Sequence, residues 1–438
     1  MLEIRFTTAY KKSYKLMKKR GKDLTLLDDV IDALRQGQVL EERYRDHELK
    51  GKFKGFRECH IQPYWLLIYL IENDILTLTL VDTGSHSDLL NMLKRVSAMK
   101  RLIDLHVHLD GSLPYETVHK LMQQAGMPAK TDAELYPLLS VPEDCRDLNE
   151  YLEKFDFPLQ LMQSAGNIEQ IVYDLLNVQR AEGLVYTEIR FAPQFHCQQG
   201  LTQEAVVEAA VAGLRRFEQE QYSCTCAETT AELHAGLILC AMRGSDNKEA
   251  NLETVRVAAK YLGKGVVALD LAGAEALFPT RDFEDVFALA RELEVPFTIH
   301  AGEADGPDSI RTALAFGARR IGHGVRALED AVLVKELAEK QIPLECCPTS
   351  NLNTKMFPDM AHYPIRALLE AGVKATVNTD NMTVSDTTES KEFAKLEQAI
   401  GLNADEEKQL LLNAADAIFG GEDEKARLRK LIAEEMDP

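Results

Sequence analysis

The sequence predicts an α/β protein: a (β/α)8 TIM barrel preceded by a small α+β domain. Three observations carry this. Eight short apolar runs alternate with helical stretches over about 340 residues. Ionisable residues crowd at the C-terminal ends of those runs, the end at which barrel enzymes gather their catalytic groups. The charge, finally, is split. The 438 residues carry a net −20. Residues 1–90 hold 15 Lys+Arg and 14 Asp+Glu, leaving 35 and 56 for residues 91–438, so the two parts are +1 and −21. A chain with two such segments reads as two modules, with domains at 1–90 and 101–438 and a polar, basic junction at 91–100. A hydrophobic fraction of 45% excludes wholesale disorder.

In the first module, helical spacing covers Thr8–Lys19 and Leu24–Gln36, and strand-like runs follow at Arg57–Ile61, Leu66–Ile71 and Ile75–Asp82. The order is helices first, then strands. In the second, the strand candidates are Ile103–His108, Leu184–Phe191, Gly236–Met242, Val266–Leu271, Pro296–His300, Arg320–His323, Pro343–Cys347 and Lys374–Asn378. Helical stretches such as Thr202–Gln219 and Asp282–Leu293 fall between them. An open doubly wound sheet would alternate in the same way, so the placement of polar residues decides. No apolar run approaches the ~20 residues of a membrane span, and the N-terminus lacks a signal-peptide core. A cytoplasmic protein with no membrane partner is expected. The 8 Cys are scattered without C-x-x-C spacing, against a disulfide framework or a thiolate zinc knuckle.

The first strand ends Asp104-Leu-His106-Val-His108-Leu-Asp110, and side chains two apart on a strand share a face. Later strands end in His300-Ala-Gly-Glu303, Gly322-His323-Gly324 and Asn378-Thr379-Asp380-Asn381. Singly, each reads as a cap, turn or core residue. Together, four imidazoles and two carboxylates at one end of a barrel have no packing rationale, and burying them unpartnered would cost several kcal/mol. Imidazoles with a carboxylate and no thiolate suit Zn²⁺, with Fe²⁺ or Co²⁺ as alternatives. His106, His108, His300 and Asp380 are the ligand candidates. Glu303 is placed as a general acid/base and His323 as the group that orients a water and helps deprotonate it. The residues alone predict metal-assisted hydrolysis of a polar bond.

Several strings together resemble the adenosine deaminase family of metal-dependent hydrolase barrels: Ile103-Asp-Leu-His-Val-His-Leu-Asp-Gly-Ser112, Thr187-Glu-Ile-Arg-Phe-Ala-Pro193, Leu239-Cys-Ala-Met-Arg243, Asp270-Leu-Ala-Gly-Ala-Glu275, His300-Ala-Gly-Glu303, Ile321-Gly-His-Gly-Val325, Pro348-Thr-Ser-Asn351 and Asn378-Thr-Asp-Asn381. They run in order from about residue 102 to the C-terminus. The resemblance implies one Zn²⁺ per chain on His106, His108, His300 and Asp380, and a catalytic set of Glu303, His323 and Asp380. It implies that hydroxide attacks purine C6 while Glu303 protonates N1, converting adenosine, and 2′-deoxyadenosine with it, to inosine and ammonia in purine salvage. It also implies that His108, Asp110, Gly273 and Asn381 contact the nucleoside, with the Gly273 N–H on the purine and Asp110 on the ribose 5′-hydroxyl. Two positions depart from the family pattern. Asn381 stands where many members have a second Asp, and Ala274 where some have an acid. An Asn amide donates to N7 at any pH, whereas an Asp donates only when protonated. Asp110 and the net −21 would repel a 5′-phosphate. Adenine and N6-modified adenosine are the neighbouring substrates.

Residues 1–90 resemble the RelE-type, YafQ-like mRNA interferase toxins through His47-Glu-Leu-Lys-Gly51, Gly55-Phe-Arg-Glu-Cys-His60, Pro63-Tyr-Trp-Leu-Leu-Ile-Tyr69 and Thr83-Gly-Ser-His86. The resemblance implies proton-transfer roles on RNA for His47, His60 and His86, and a place near the site for Trp65. Contact with RNA, the ribosome or an antitoxin is expected through residues 1–90 only, with Lys50, Lys52, Lys54 and Arg57 as phosphate contacts. Tyr64 replaces an Asp of the family's best-known branch and Asp82 replaces a common Arg, and both count against cleavage. Met99-Lys-Arg-Leu-Ile-Asp-Leu-His would serve as the start of a free-standing deaminase, which suggests two fused genes.

Overall fold

The computed structural model describes residues 3–6, 14, 15, 18, 22–38, 40–48, 57–62, 65–72, 77–84, 101–142, 144–223 and 232–436. It divides into two compact units, Met1–Met99 and Lys100–Pro438.

In the first unit, strands β1 (Glu3–Phe6), β2 (His47–Glu48), β3 (Arg57–Gln62), β4 (Trp65–Glu72) and β5 (Thr77–Gly84) form one sheet in the order β1-β5-β4-β3-β2. Leu27, Val30, Ile31 and Leu34 recur at helical spacing along Thr25–Arg35 and pack on Cys59, Ile61, Trp65, Leu67 and Tyr69. The later helix and all three predicted strands are present within two residues of their expected ends. The helices-first order is corrected, because β1 precedes every helix described and pairs in parallel with β5. Four residues are too few to show a period, and their partner lies more than seventy positions away. The helix expected at Thr8–Lys19 lies largely outside the described residues.

The second unit contains β6 (Leu102–His108), β7 (Leu184–Phe191), β8 (His234–Met242), β9 (Val266–Ala272), β10 (Thr298–Ala301), β11 (Arg320–His323), β12 (Pro343–Cys346) and β13 (Lys374–Val377). They pair in parallel as two four-stranded sheets, β6-β7-β8-β9 and β10-β11-β12-β13. Single bridges join the two, Leu269 to Phe297 on one side and Val107 to Asp380 on the other. The result is a closed (β/α)8 barrel. Helices such as Gln203–Ser223, Lys248–Tyr261, Pro307–Phe316 and Ala331–Lys340 follow successive strands.

The strands read as apolar runs because both faces are buried. Ile103, Leu105, Val107 and Ile189 belong to a single apolar core shared with the surrounding helices. Charged residues on alternate positions link up instead with one another. Arg320 pairs with Glu188 at 2.6 Å and Glu345 at 2.7 Å, and Arg190 pairs with Asp270 and Glu345, each at 2.8 Å. All five are fully buried. Removing one partner from such a set leaves an uncompensated charge, at roughly 3–5 kcal/mol.

The connection from β6 to β7 is long and helical. Thr131 caps Asp132–Leu139, with Glu134 answering in a reciprocal capping box. Two short helices, Leu148–Leu152 and Asp156–Leu161, then bring Leu148, Leu152, Phe155 and Leu159 to the mouth of the barrel.

Candidate active site

The seam of the barrel builds the first part of the site. His106 and His108 sit on one face at the end of β6, and Asp380 follows β13. One ligating atom from each of His106, His108, His300 and Asp380 lies within 4.8 Å of all the others. Asp380 Oδ1 is 3.4 Å from Nε2 of both His106 and His108, and His108 Nε2 is 3.2 Å from His300 Nε2. Asp380 and His323 both hold positive φ, at 59° and 58°, a conformation that non-glycine residues keep only where the surroundings enforce it. Gly322 has a packing reason: a methyl group there would meet His106 Cε1 at 3.3 Å and His300 Cα at 3.1 Å.

Carboxylates behind the imidazoles fix which nitrogen faces inward. His106 Nδ1 contacts Glu345 Oε2 at 2.8 Å, and His300 Nδ1 contacts Asp270 Oδ2 at 2.9 Å. The same Glu345 and Asp270 oxygens are held by the Arg190 guanidinium. Both rings therefore present Nε2 to the cluster, the arrangement that a carboxylate–imidazole–metal triad requires. Arg190, Asp270 and Glu345 carry no role in the sequence reading. The available signal was a charged residue inside an otherwise apolar strand, as in Leu184–Phe191 and Pro343–Cys346.

The electrostatics of the cluster call for a cation. Burial holds His108 and His323 well below the ordinary imidazole value and His300 below it, so these rings are neutral and able to ligate. His106 is the exception. Burial and Arg190 press it down, but Asp380 and Glu345 outweigh them and raise it. Asp380 stays ionised despite burial, held far below its usual range by the His106, His323 and His108 rings. Nε2 of His106 is buried without a hydrogen-bond partner. A divalent transition metal fits these three nitrogens and one carboxylate oxygen. Cys347 also lies close to His106 and His323, but burial raises its thiol well above the ordinary value, which disfavours the ligating thiolate.

Glu303 sits on a turn organised by another acid. Glu275 accepts hydrogen bonds from the amides of Gly302, Glu303 and Asp305 at 2.8, 3.0 and 2.9 Å and from the Ser309 hydroxyl at 2.6 Å. Burial first, then Asp380 and Glu275, push the Glu303 carboxyl well above its usual range, which favours the protonated form. His323 Nε2 lies 3.5 Å from Glu303 Oε2. The Tyr363 hydroxyl donates to Asn351 Oδ1, which turns the Asn351 amide nitrogen toward His323 Nδ1 at 3.1 Å. Nδ1 is then the acceptor, and the ring proton of neutral His323 sits on Nε2, so the ring can orient a water by donating to it, which corrects the expectation that it also helps deprotonate it. Arg243 fixes His300 from outside by donating to its carbonyl at 2.6 Å.

These groups open into a cavity of about 450 Å³, within the range of nucleoside-sized sites. His108, His300, Glu303, His323 and Asp380 line one side of it, and Asp110, Gly273, Ala274 and Asn381 line it too. Burial raises Asp110 to about 7. Asn381 lies against Gly111, where a methyl group would come within 1.7 Å of Asn381 Oδ1. The barrel candidates are thus gathered in one place, with His106 buried beneath the cavity. The sequence reading missed Tyr151, Glu275 and the apolar rim from Leu148 to Leu159.

The candidates of the first unit are divided. His47 is cross-strand to Glu58, and His60 lies two residues further along β3, on the same face. His60 Nε2 is 3.8 Å from Glu58 Oε1. Trp65 is fully buried in the core on the opposite face, under the helix, which corrects the expectation that it borders an RNA site. Arg57 is bound to Asp46 at 2.7 Å and to the Tyr69 hydroxyl at 3.3 Å, so its guanidinium is not free for phosphate. His86, Lys50, Lys52, Lys54 and Tyr64 lie outside the described residues.

Residues 102–435 match the family model described as adenosine deaminase. Residues 2–91 match that of a bacterial toxin of type II toxin-antitoxin systems, YafQ. An adenosine deaminase of Haemophilus ducreyi is 50% identical over 333 residues, which is 75% of this chain and 94% of the relative. One from Enterococcus faecalis is 39% identical over 331 residues, 75% of this chain and 95% of the relative. Among solved structures, the N6-methyl-AMP deaminase of Arabidopsis thaliana superposes with a TM-score of 0.66 at 26% identity, covering 78% of this chain and 98% of that one. The adenine deaminase of Arthrobacter aurescens shares the fold, with a TM-score of 0.68 at 24% identity, covering 76% and 98%. The chain belongs to the adenosine deaminase family.

Proposed function

We propose that residues 101–438 catalyse the hydrolytic deamination of adenosine and 2′-deoxyadenosine to the inosine products and ammonia, with one Zn²⁺ per chain on His106, His108, His300 and Asp380. The observation that carries this reading is the convergence of those four donors beside a buried Glu303, whose carboxyl burial pushes above its usual range. Bound there, the cation would supply a water whose pKa is lowered towards about 7. The chain does the rest. Glu303 delivers its proton to N1, which draws electrons from C6. His323 directs its Nε2–H at the oxygen nucleophile and orients it. The C6–O bond forms, the C6–N bond breaks, and the amino group departs as ammonia after taking up one proton of the water, whose other proton restores Glu303. Gly273 offers its N–H to the purine, Asn381 donates to N7, His108 borders the base, and Asp110 holds the 5′-hydroxyl.

The pocket favours a nucleoside over a nucleotide. Asp110 and Asp156 line it, and Arg243, the one Arg or Lys among its described lining residues, is engaged by the carbonyls of Phe278 and His300 and by Thr280. The test is a panel of adenosine, deoxyadenosine, adenine and AMP on the zinc-loaded protein, with ammonia release as the readout. Adenosine and deoxyadenosine turn over, and chelation or Glu303→Ala abolishes turnover. Metal-loaded protein that deaminates none of the four would sink this reading.

For residues 1–90, the YafQ-like resemblance supports contact with an antitoxin, RNA or the ribosome, through the face that carries His47 and His60. Among the described residues no helix is long and apolar enough to cross a membrane.

A further inference from the structure

Tyr151 lies on the helix Leu148–Leu152, is 2% exposed, and lines the pocket together with Asn381. Its hydroxyl meets Ser385 Oγ at 2.7 Å. The Ser385 amide donates to the Asn381 carbonyl at 3.0 Å, and the Asn381 amide donates to the Thr379 carbonyl at 2.7 Å. The backbone of Asn381 is therefore fixed on both sides, and one of those ties runs through Ser385 to Tyr151. The side chain is confined as well. Its Oδ1 is buried without a partner against Gly111, leaving no space for a methyl group there. With Oδ1 turned to Gly111, the amide nitrogen is the end of the Asn381 side chain left to face the pocket it lines.

We propose that Tyr151 is a positioning residue for base recognition: through Ser385 it holds Asn381 so that an N–H of its side chain meets position 7 of a purine, and binding depends on a nitrogen there. The inference rests on the reading above in which Asn381 faces N7. It differs from a role in fastening the helix, because fastening would affect every ligand alike.

Isothermal titration of the zinc-loaded protein with inosine and with 7-deazainosine, which carries a C–H at position 7, separates the two roles without turnover. Wild-type protein binds inosine more tightly. Tyr151→Phe weakens inosine by about five- to tenfold, as expected for one misaligned hydrogen bond, and leaves 7-deazainosine within about twofold. Ser385→Ala, an independent disturbance of the same link, gives the same pattern. Equal weakening of both ligands, or no change in either, overturns the proposal. Wild-type protein that fails to distinguish the two ligands removes the Asn381–N7 contact and this inference with it, while turnover of adenosine would still uphold the deaminase reading.

Discussion

The amide of Asp380 donates to the carbonyl of His106 at 2.7 Å, and the amide of His108 donates to the carbonyl of Asp380 at 2.6 Å. Those two bonds bridge the last strand region of the barrel to its first. Closure of the barrel and the spacing of three proposed ligands thus depend on the same backbone contacts. Backbone and side chain at Asp380 can be separated experimentally, because a substitution that preserves shape keeps the bridge.

Asp380→Asn is expected to leave the barrel folded but unable to retain metal. Wild-type protein after dialysis should hold one zinc per chain by elemental analysis, and the variant far less. Thermal unfolding of the metal-free forms should differ little. Full zinc retention by the variant would remove Asp380 from the ligand set.

Arg190 forks between Asp270 and Glu345, the carboxylates behind His300 and His106. Replacement by Met leaves buried Asp270 without its guanidinium and Glu345 with Arg320 alone, and should destabilise the barrel by roughly 3–5 kcal/mol in denaturant unfolding. Zinc affinity should fall about 10- to 100-fold in competition with a chelator, because both imidazoles lose their orientation. Unchanged affinity would confine Arg190 to a structural role.

Glu303 sets the alkaline side of the pH profile. Burial, reinforced by Asp380 and Glu275, raises its pKa, so the acid form needed to protonate N1 persists to higher pH than in an ordinary carboxyl and is lost as pH rises through that raised value. kcat/KM for adenosine should decline on the alkaline limb. Glu303→Gln should lower kcat by about 10²- to 10⁴-fold while zinc stays bound. A profile that stays flat into the alkaline range would assign the proton to another group.

His196 links stability to acid. Its ring is fully buried, and desolvation lowers its pKa to about 4 from the ordinary 6.5. The unfolded chain then binds the extra proton throughout that interval, so stability rises with pH across it. It is fully present above about 6.5 and is lost as pH falls towards 4, by about 3 kcal/mol at the acid end. Urea unfolding of the barrel at several pH values should show this slope, reduced in His196→Gln. Identical slopes would place the acid sensitivity elsewhere.

The strands of the barrel were legible because each is an apolar run between helices, and the ligands because each terminates a run in a polar motif. Arg190 and Glu345 were harder to interpret, since a charge inside a strand has no meaning until its partner, 155 positions away, is known. Tyr151 was hidden for the same reason: its contact, Ser385, lies 234 residues along the chain. In the small domain, Trp65 resembled a site residue in its motif, but the strand's alternation puts it opposite His60. Periodicity shows which side chains share a face; only the packed helix shows which face is the core.

The division between Met99 and Lys100 places every residue of the proposed metal site and every pocket-lining residue in the second unit. The first unit has its own apolar core, built from the helix Thr25–Arg35 and the sheet. Each unit thus has what a separately folding domain requires. Limited proteolysis within residues 91–100 should therefore leave a C-terminal fragment with the zinc content and the kcat/KM for adenosine of the intact chain. Loss of activity in step with cleavage, with the fragment still folded by circular dichroism, would mean that the N-terminal domain contributes to catalysis and would sink the view of two independent modules.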